Sequence, residues 1–292
     1  MVSLIKRKNG KSSYYYLIHN AGKKQAEIYL GKTIPKNIAE LKREFLLSLL
    51  REKWRPALES IKKGYAEYLK SVSKATMLDK VSEFSYYFTY DSQKIEGSSL
   101  TQQEIYNLLR FHLTPRNKPE YDMIEAKLHH EVFLDMIQNS QELSQKTVLS
   151  WHKRMFEKTK PELAGKIRLA NIYVTGSKST FPHWKFVPAF MGDFFKWYNK
   201  IKDKTHPVEL AALAHFRFVS IHPFGDGNGR TTRLMMNNIL FRHGYPLLNI
   251  RYGERMHYYK ALETGNLKNE EIHFLKWFMK RYISEYSRHY KD

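Results

Sequence analysis

From Asn37 to the end of the chain, apolar side chains recur every three or four residues, in segments bounded by residues that start or stop helices. Before Asn37 the pattern alternates with the period of strands. This change of period predicts a mainly α fold preceded by a small antiparallel β module. In the module, residues 3–8, 12–19 and 25–30 read as strands. Asn9-Gly10 supplies a tight turn between the first two, and Ala21-Gly22 precedes the third.

The helical part is punctuated clearly. Asn37 can cap a helix with Glu40 at its third position, and Ile38, Leu41, Phe45, Leu46 and Leu49 follow at helical spacing. Pro56 is expected to end or kink that helix, with 57–72 forming the next. Thr101-Gln102-Gln103-Glu104 is a capping box flanked by Leu100 and Ile105 in the staple positions. Further helices are expected over 121–139, 144–158, 186–201, 207–221, 231–243, 255–263 and 270–290. Between 166 and 182, β-branched and turn residues suit a hairpin better than a helix.

Charge and cysteine content bound the function. The formal net charge is +20, and the chain has no cysteine, which excludes disulfides and thiolate metal sites. Such a charge draws polyanions. No stretch approaches the ~20 uninterrupted apolar residues of a membrane span, so a cytoplasmic location without a membrane partner is expected. Within residues 1–36, Lys6, Arg7, Lys8, Lys11, Lys23, Lys24, Lys32 and Lys36 stand against Glu27 alone, with Tyr14, Tyr15, Tyr16 and Tyr29 interleaved. Cations among rings can form a nucleic-acid or acidic-partner surface. The plainer reading is a small sheet that packs its tyrosines on the following helices and solvates its lysines.

The chemistry concentrates in His222-Pro223-Phe224-Gly225-Asp226-Gly227-Asn228-Gly229-Arg230, followed by Thr231, Thr232 and Arg233, between two apolar helical segments. The amides of Gly227, Asn228 and Gly229 can form an anion nest before a helix. Asp226 suits Mg²⁺, which takes one or two carboxylates and completes its shell with phosphate oxygens and water. Arg230 and Arg233, one turn apart, can both reach a polyphosphate, and His222 can accept a proton from an attacking hydroxyl. Each piece alone is more often structural, but their co-occurrence points to nucleotidyl or phosphoryl transfer.

From His222 to Arg233 the stretch resembles the signature of the Fic family, His-x-Phe-x-(Asp/Glu)-Gly-Asn-Gly-Arg-x-x-Arg, at every defined position. The similarity runs over about residues 82–278 and is marked toward the family's animal members of the endoplasmic reticulum. It implies a helical Fic core with a β-hairpin flap and transfer of AMP from ATP, with Mg²⁺, to a Ser, Thr or Tyr hydroxyl of a protein. In that scheme His222 is the general base, Asp226 holds the metal, and Gly227, Asn228, Gly229, Arg230 and Arg233 take the phosphates. Tyr259 and Asn266 lie at the nucleoside, and Ile172, Tyr173, Val174, Thr175 and Gly176 form the flap that aligns the target. Doc-type kinases of similar sequence carry Lys where this chain has Gly229, so glycine favours AMP transfer.

Ser92-Gln93-Lys94-Ile95-Glu96-Gly97 matches the family's inhibitory pattern, (Ser/Thr)-x-x-x-Glu-(Gly/Asn). The resemblance implies that Ser92, Glu96 and Gly97 form a brake in which Glu96 pairs with Arg233, expected as a two-pronged contact, and takes the place of the γ-phosphate. It also implies that Glu96 serves removal of AMP in some members. The expected domains are a basic β module at 1–36, a helical linker at 37–81 and a Fic domain at 82–292. The Fic domain includes an inhibitory helix near 86–97 and a flap near 167–182. The expected partner is a protein substrate that the sequence does not name, with a homodimer as a further expectation. A reading of a different class is a nucleic-acid or acidic-protein binding adaptor acting through the N-terminal module, with a regulatory Fic core.

Overall fold

The computed structural model describes residues 2–21, 24–174 and 176–290, so Gly22, Lys23 and Thr175 lie outside the described residues. The chain divides into two compact units, Met1–Glu59 and Ser60–Asp292. The first contains β1 (Val2–Asn9), β2 (Ser12–Ala21) and β3 (Lys24–Gly31), an antiparallel sheet in the order β1-β2-β3. Asn9 pairs with Ser12, so Gly10 and Lys11, rather than Asn9 and Gly10, are the central turn residues. Of these, Gly10 takes positive φ (59°), which is the role glycine fills at the first central position of a tight hairpin turn.

Helix α1 (Ile38–Ser71) continues through Pro56, where the sequence predicts an end or a kink. Proline removes one hydrogen bond at a cost of about 3 kcal/mol, and the Leu-, Glu-, Lys- and Arg-rich turns on both sides have the propensity to carry the helix past it.

The second unit is built around a pair of packed helices, α7 (Pro207–Ile221) and α8 (Asn228–Arg242), joined by the loop that starts at His222. Both are buried nearly all round, from Val208 to Phe218 in α7 and from Arg230 to Leu240 in α8, as helices at the centre of a large domain must be. Helices α2 (Lys74–Ile95), α4 (Glu120–Asn139) and α5 (Gln145–Phe156) pack on α8, while α6 (Val187–Ile201) and α10 (Ile272–Tyr286) pack on α7. The fold is thus mainly helical with a small N-terminal antiparallel sheet. Among the described residues, no helix is long and apolar enough to cross a membrane.

Two boundaries differ from expectation in ways that shape the site. α8 begins at Asn228 instead of Thr231, which brings Asn228 and Gly229 into its first turn. Helix α9 (Arg255–Lys268) runs beyond Glu263 through Gly265, where a Cβ would lie 2.6 Å from the Phe216 ring. Glycine here permits close packing of α9 against α7.

Between α5 and α6 the expected hairpin forms its turn but no ladder. Ser177 N–H donates to Val174 O at 3.1 Å with Gly176 at φ +78°, and the described residues of the arms carry no strand. Arm groups bond elsewhere: Lys178 N–H donates to Glu263 Oε1 at 2.6 Å, and the Asn171 side chain accepts from Trp184 N–H at 3.1 Å.

Helix α3 (Gln102–Arg110) opens on the expected capping box. Thr101 Oγ1 accepts from Glu104 N–H, Thr101 N–H donates to Glu104 Oε2 at 2.8 Å, and the staple residues Leu100 and Ile105 are buried in one cluster. Thr101→Ala is expected to destabilise the second unit by about 1 kcal/mol and to lower its melting temperature by about 2–4 °C. Thermal denaturation followed by circular dichroism checks this, and an unchanged transition would show the cap to be idle.

Candidate active site

His222 ends α7 in the left-handed conformation (φ 51°, ψ 61°), a strained geometry for a residue with a Cβ. A guanidinium holds it there: Arg168 Nε donates to His222 O at 2.8 Å. The same side chain donates through Nη1 to Ala170 O at 2.8 Å and through Nη2 to Pro182 O at 2.6 Å, while Arg168 N–H donates to Pro223 O at 2.9 Å. One buried arginine therefore fastens both ends of the flap to the backbone of His222 and Pro223.

The imidazole is held in one orientation. Nδ1–H donates to Val219 O at 3.2 Å, which leaves Nε2 with its lone pair, and Phe181 lies 4.3 Å away ring to ring. Burial lowers the His222 pKa to about 4, against the upward pulls of the Val219 carbonyl and the Glu96 carboxylate. The ring is consequently neutral at physiological pH.

The loop is braced from within. Phe224 is fully buried and stacks on His152 at 3.8 Å. His152 accepts from Gly165 N–H and donates Nε2–H to Asp226 O, both at 2.9 Å. The Asn228 amide bonds the Phe224 main chain twice at 2.9 Å, so its side chain closes the loop while its backbone opens α8. At Gly227 (φ +77°) a Cβ would overlap the Phe156 ring.

Asp226 accepts from Gly227 N–H at 2.5 Å, Lys160 Nζ at 2.6 Å and Arg230 Nη2 at 3.1 Å. Burial alone would raise its pKa, but Arg230, Lys160 and the Gly227 amide together hold it near 2. Arg230 is placed otherwise than the sequence suggests. Its guanidinium is buried against the Phe156 ring, its Nη1 is bonded to Glu125 and to Gln93 Oε1 (3.0 Å), and it does not line the cavity. Glu125, which also takes Lys160 at 2.7 Å, comes from α4, too remote in sequence to be linked with the loop by spacing.

Arg233 is 1% exposed. Nη2 donates to Glu96 Oε1 at 2.8 Å and to Ser92 O at 3.0 Å, and Nε donates to Ser92 Oγ at 3.1 Å. The guanidinium is thus divided between Glu96 and Ser92, in place of the expected two-pronged contact with Glu96. Burial lowers the Arg233 pKa, but Glu96 and Tyr258 together more than offset this and the net shift is upward. Glu96 caps the C-terminus of α2, with Gly97 following at φ +97°. A Cβ on Gly229 would overlap Glu96 Oε1, so the carboxylate lies directly against the first turn of α8, where a helix attracts anions.

These groups face a cavity of about 900 Å³, lined by Glu96, His222, Asp226, Arg233, Tyr259 and Asn266 and bordered by the flap residues Ile172, Tyr173, Val174 and Gly176. Thr175, the fifth flap residue, lies outside the described residues. Tyr173 is 92% exposed. Tyr259 O–H donates to Ile95 O at 2.8 Å, which ties α9 to the end of α2. Arg168, Lys160, Glu125 and His152 escape sequence reasoning because each is a lone polar residue without a motif around it.

With this geometry in view, residues 142–240 match the Fic/DOC family. Protein adenylyltransferase Fic of Aedes aegypti is 32% identical over 206 residues, which cover 68% of this chain and 41% of that protein. Protein adenylyltransferase Fic of Drosophila grimshawi is 29% identical over 257 residues, 87% of this chain and 51% of that one. The chain spans about half the length of these curated relatives. The solved structure of Fic-1 from C. elegans matches with a TM-score of 0.70 at 26% identity, over 87% of this chain and 76% of that chain.

The imidazole can be titrated directly. In imidazole ¹⁵N spectra His222 is expected to reach half-protonation near pH 4 instead of the ordinary 6.5. Because the folded form resists a proton that the unfolded chain binds near 6.5, this group lowers stability as pH falls from about 6.5 toward 4. Glu96→Gly removes a carboxylate that raises the value and should push it lower. A midpoint above 6 would overturn this account of the buried base.

Proposed function

This chain carries a Fic domain, and we propose that it is an autoinhibited protein adenylyltransferase that transfers AMP from ATP to a Ser, Thr or Tyr hydroxyl of a protein. The observation that carries this reading is the position of Glu96. Its carboxylate sits against Gly229 and Arg233 at the positive end of α8, where an arriving polyphosphate would bind.

In the proposed reaction the target hydroxyl is presented along the flap beside His222. As its oxygen bonds to the α-phosphorus, its proton passes to His222 Nε2, the bond from that phosphorus to the bridging oxygen breaks, and pyrophosphate leaves. The amides of Gly227, Asn228 and Gly229 receive the phosphates, and Arg233, once released by Glu96, holds the terminal ones. Arg230 contributes through Asp226, which it keeps ionised and aimed. Tyr259 and Asn266, which line the cavity, would border the nucleoside.

Asp226 fits Mg²⁺. Among the described residues, no group of three or more His, Cys, Asp and Glu could hold a metal unaided, and one ionised carboxylate beside a polyphosphate is the donor set this ion takes. When bound, the ion would offset phosphate charge. We assign Glu96 a second duty in orienting water for release of AMP from a modified target.

The brake is quantifiable. If Glu96 is displaced in about 1% of molecules, affinity for the productive ATP pose is reduced about a hundredfold. Glu96→Gly should therefore raise label transfer from ATP radiolabelled at the α-phosphate, including onto the protein itself, and His222→Ala should abolish it. Equal labelling by the wild type and Glu96→Gly would remove the brake, and label from the γ-position would replace AMP transfer with phosphoryl transfer. Undiminished release of AMP from a modified target by Glu96→Gly would remove the second duty.

A further inference from the structure

Four charged side chains at the base of the His222 loop close into a ring. Arg230 donates through Nη2 to Asp226 Oδ1 at 3.1 Å and through Nη1 to Glu125 Oε2. Lys160 Nζ lies 2.6 Å from Asp226 Oδ2 and 2.7 Å from Glu125 Oε1. Each cation therefore bridges the same two carboxylates, using the oxygen that the other leaves, and two positive charges face two negative ones. Arg230 and Glu125 are buried, whereas the side chains of Lys160 and Asp226 are 29% and 37% exposed. Any exchange of partners in the ring is thus open to solvent at the Lys160–Asp226 contact.

Lys160 is fixed by its backbone and by a ring. In the turn that follows α5, Lys160 N–H donates to Phe156 O at 2.7 Å, and Lys160 O accepts from the amides of Leu163 and Ala164 at 3.0 Å. The Phe156 ring lies 5.4 Å from the ammonium and 4.5 Å from the Arg230 guanidinium. Without Lys160, Glu125 would still accept from Arg230 and from Thr159 Oγ1 at 3.0 Å. Asp226 would still accept from Arg230 and from Gly227 N–H at 2.5 Å. What the ammonium adds is charge.

We infer that Lys160 is the resident counter-cation of Asp226 and keeps a bare divalent ion off the loop. This rests on the reading of Asp226 as the Mg²⁺ ligand. With Lys160 in place the ring presents no net negative charge, and a second cation brought to Asp226 meets repulsion from the ammonium. An ion accompanied by a polyphosphate escapes that barrier, because the phosphates supply the missing negative charge and fill its remaining positions. Lys160 can yield Asp226 without being stranded, since it is already bonded to Glu125. It acts through Asp226 and touches no reacting atom.

The test titrates the full chain with Mn²⁺, which shares the oxygen ligands of Mg²⁺, without nucleotide, and reads the free ion by its electron paramagnetic resonance signal. Lys160→Met should bind Mn²⁺ at least about tenfold more tightly than the wild type, as expected for removal of a unit charge beside a divalent ion. Lys160→Gln, which keeps a hydrogen-bond donor and drops the charge, should show the same gain and decides the matter should Lys160→Met fail to fold. Adding Asp226→Asn to either variant should abolish the gain. The inference is overturned if neither variant binds Mn²⁺ more tightly than the wild type, or if the gain survives Asp226→Asn. Because no nucleotide is present, the outcome separates from that of the label-transfer assay. A gain in Mn²⁺ binding without AMP transfer would refute the proposed function alone, and AMP transfer without the gain would refute the role of Lys160 alone.

Discussion

Arg233 carries a positive charge with 1% of its surface open to water, and leaving a cation so placed without a partner destabilises a fold by several kcal/mol. Two groups from the end of α2 meet that demand, the Glu96 carboxylate and Ser92 with its hydroxyl and carbonyl oxygens. Any ligand that displaces Glu96 must therefore bring negative charge of its own, since a neutral one would strand the guanidinium. The requirement favours an anion before any contact with a base or a sugar is made.

The glycine at 229 follows from the same constraint. A Cβ there would collide with the Glu96 carboxylate, and the surface left bare is the first turn of α8, whose amides have no intrahelical partner. Around it, the remaining charges of the loop are compensated internally. Arg230, Lys160, Glu125 and Asp226 form a chain of contacts drawn from α8, the segment after α5, α4 and the loop itself. Asp226 is consequently fixed by three donors, whereas Glu96 meets Arg233 through a single bond.

What could be read from residues alone tracks how local the determining forces are. Helix starts at Thr101 and Ser144, the end of α7 at Ile221, the two signature stretches and the strands of the N-terminal module depend on neighbours within a few residues, and all were legible. Of the two outcomes expected at Pro56, an end or a kink, the end was wrong, because propensity on both sides outweighed one missing bond. Helical spacing set Arg230 and Arg233 one turn apart, yet it could not foresee that Glu125, over a hundred residues away in sequence, would bind the first of them. The flap's turn was legible in Gly176, whereas the missing ladder reflects partners on α9 and near the start of α6 that no local pattern encodes.

Arg168 binds the carbonyls of Ala170, Pro182 and His222 at once, so the two feet of the flap and the main chain of the base share one fastener. Mechanically, the edge that would carry a target segment and the imidazole that would receive its proton are parts of a single jig. A displacement of one would displace the other, because both are bonded to the same guanidinium. Such a device tolerates wide variety in the side chains of the workpiece while keeping the tool at a constant distance from it. Under the proposed function, discrimination among target proteins would then fall to surfaces away from the cavity.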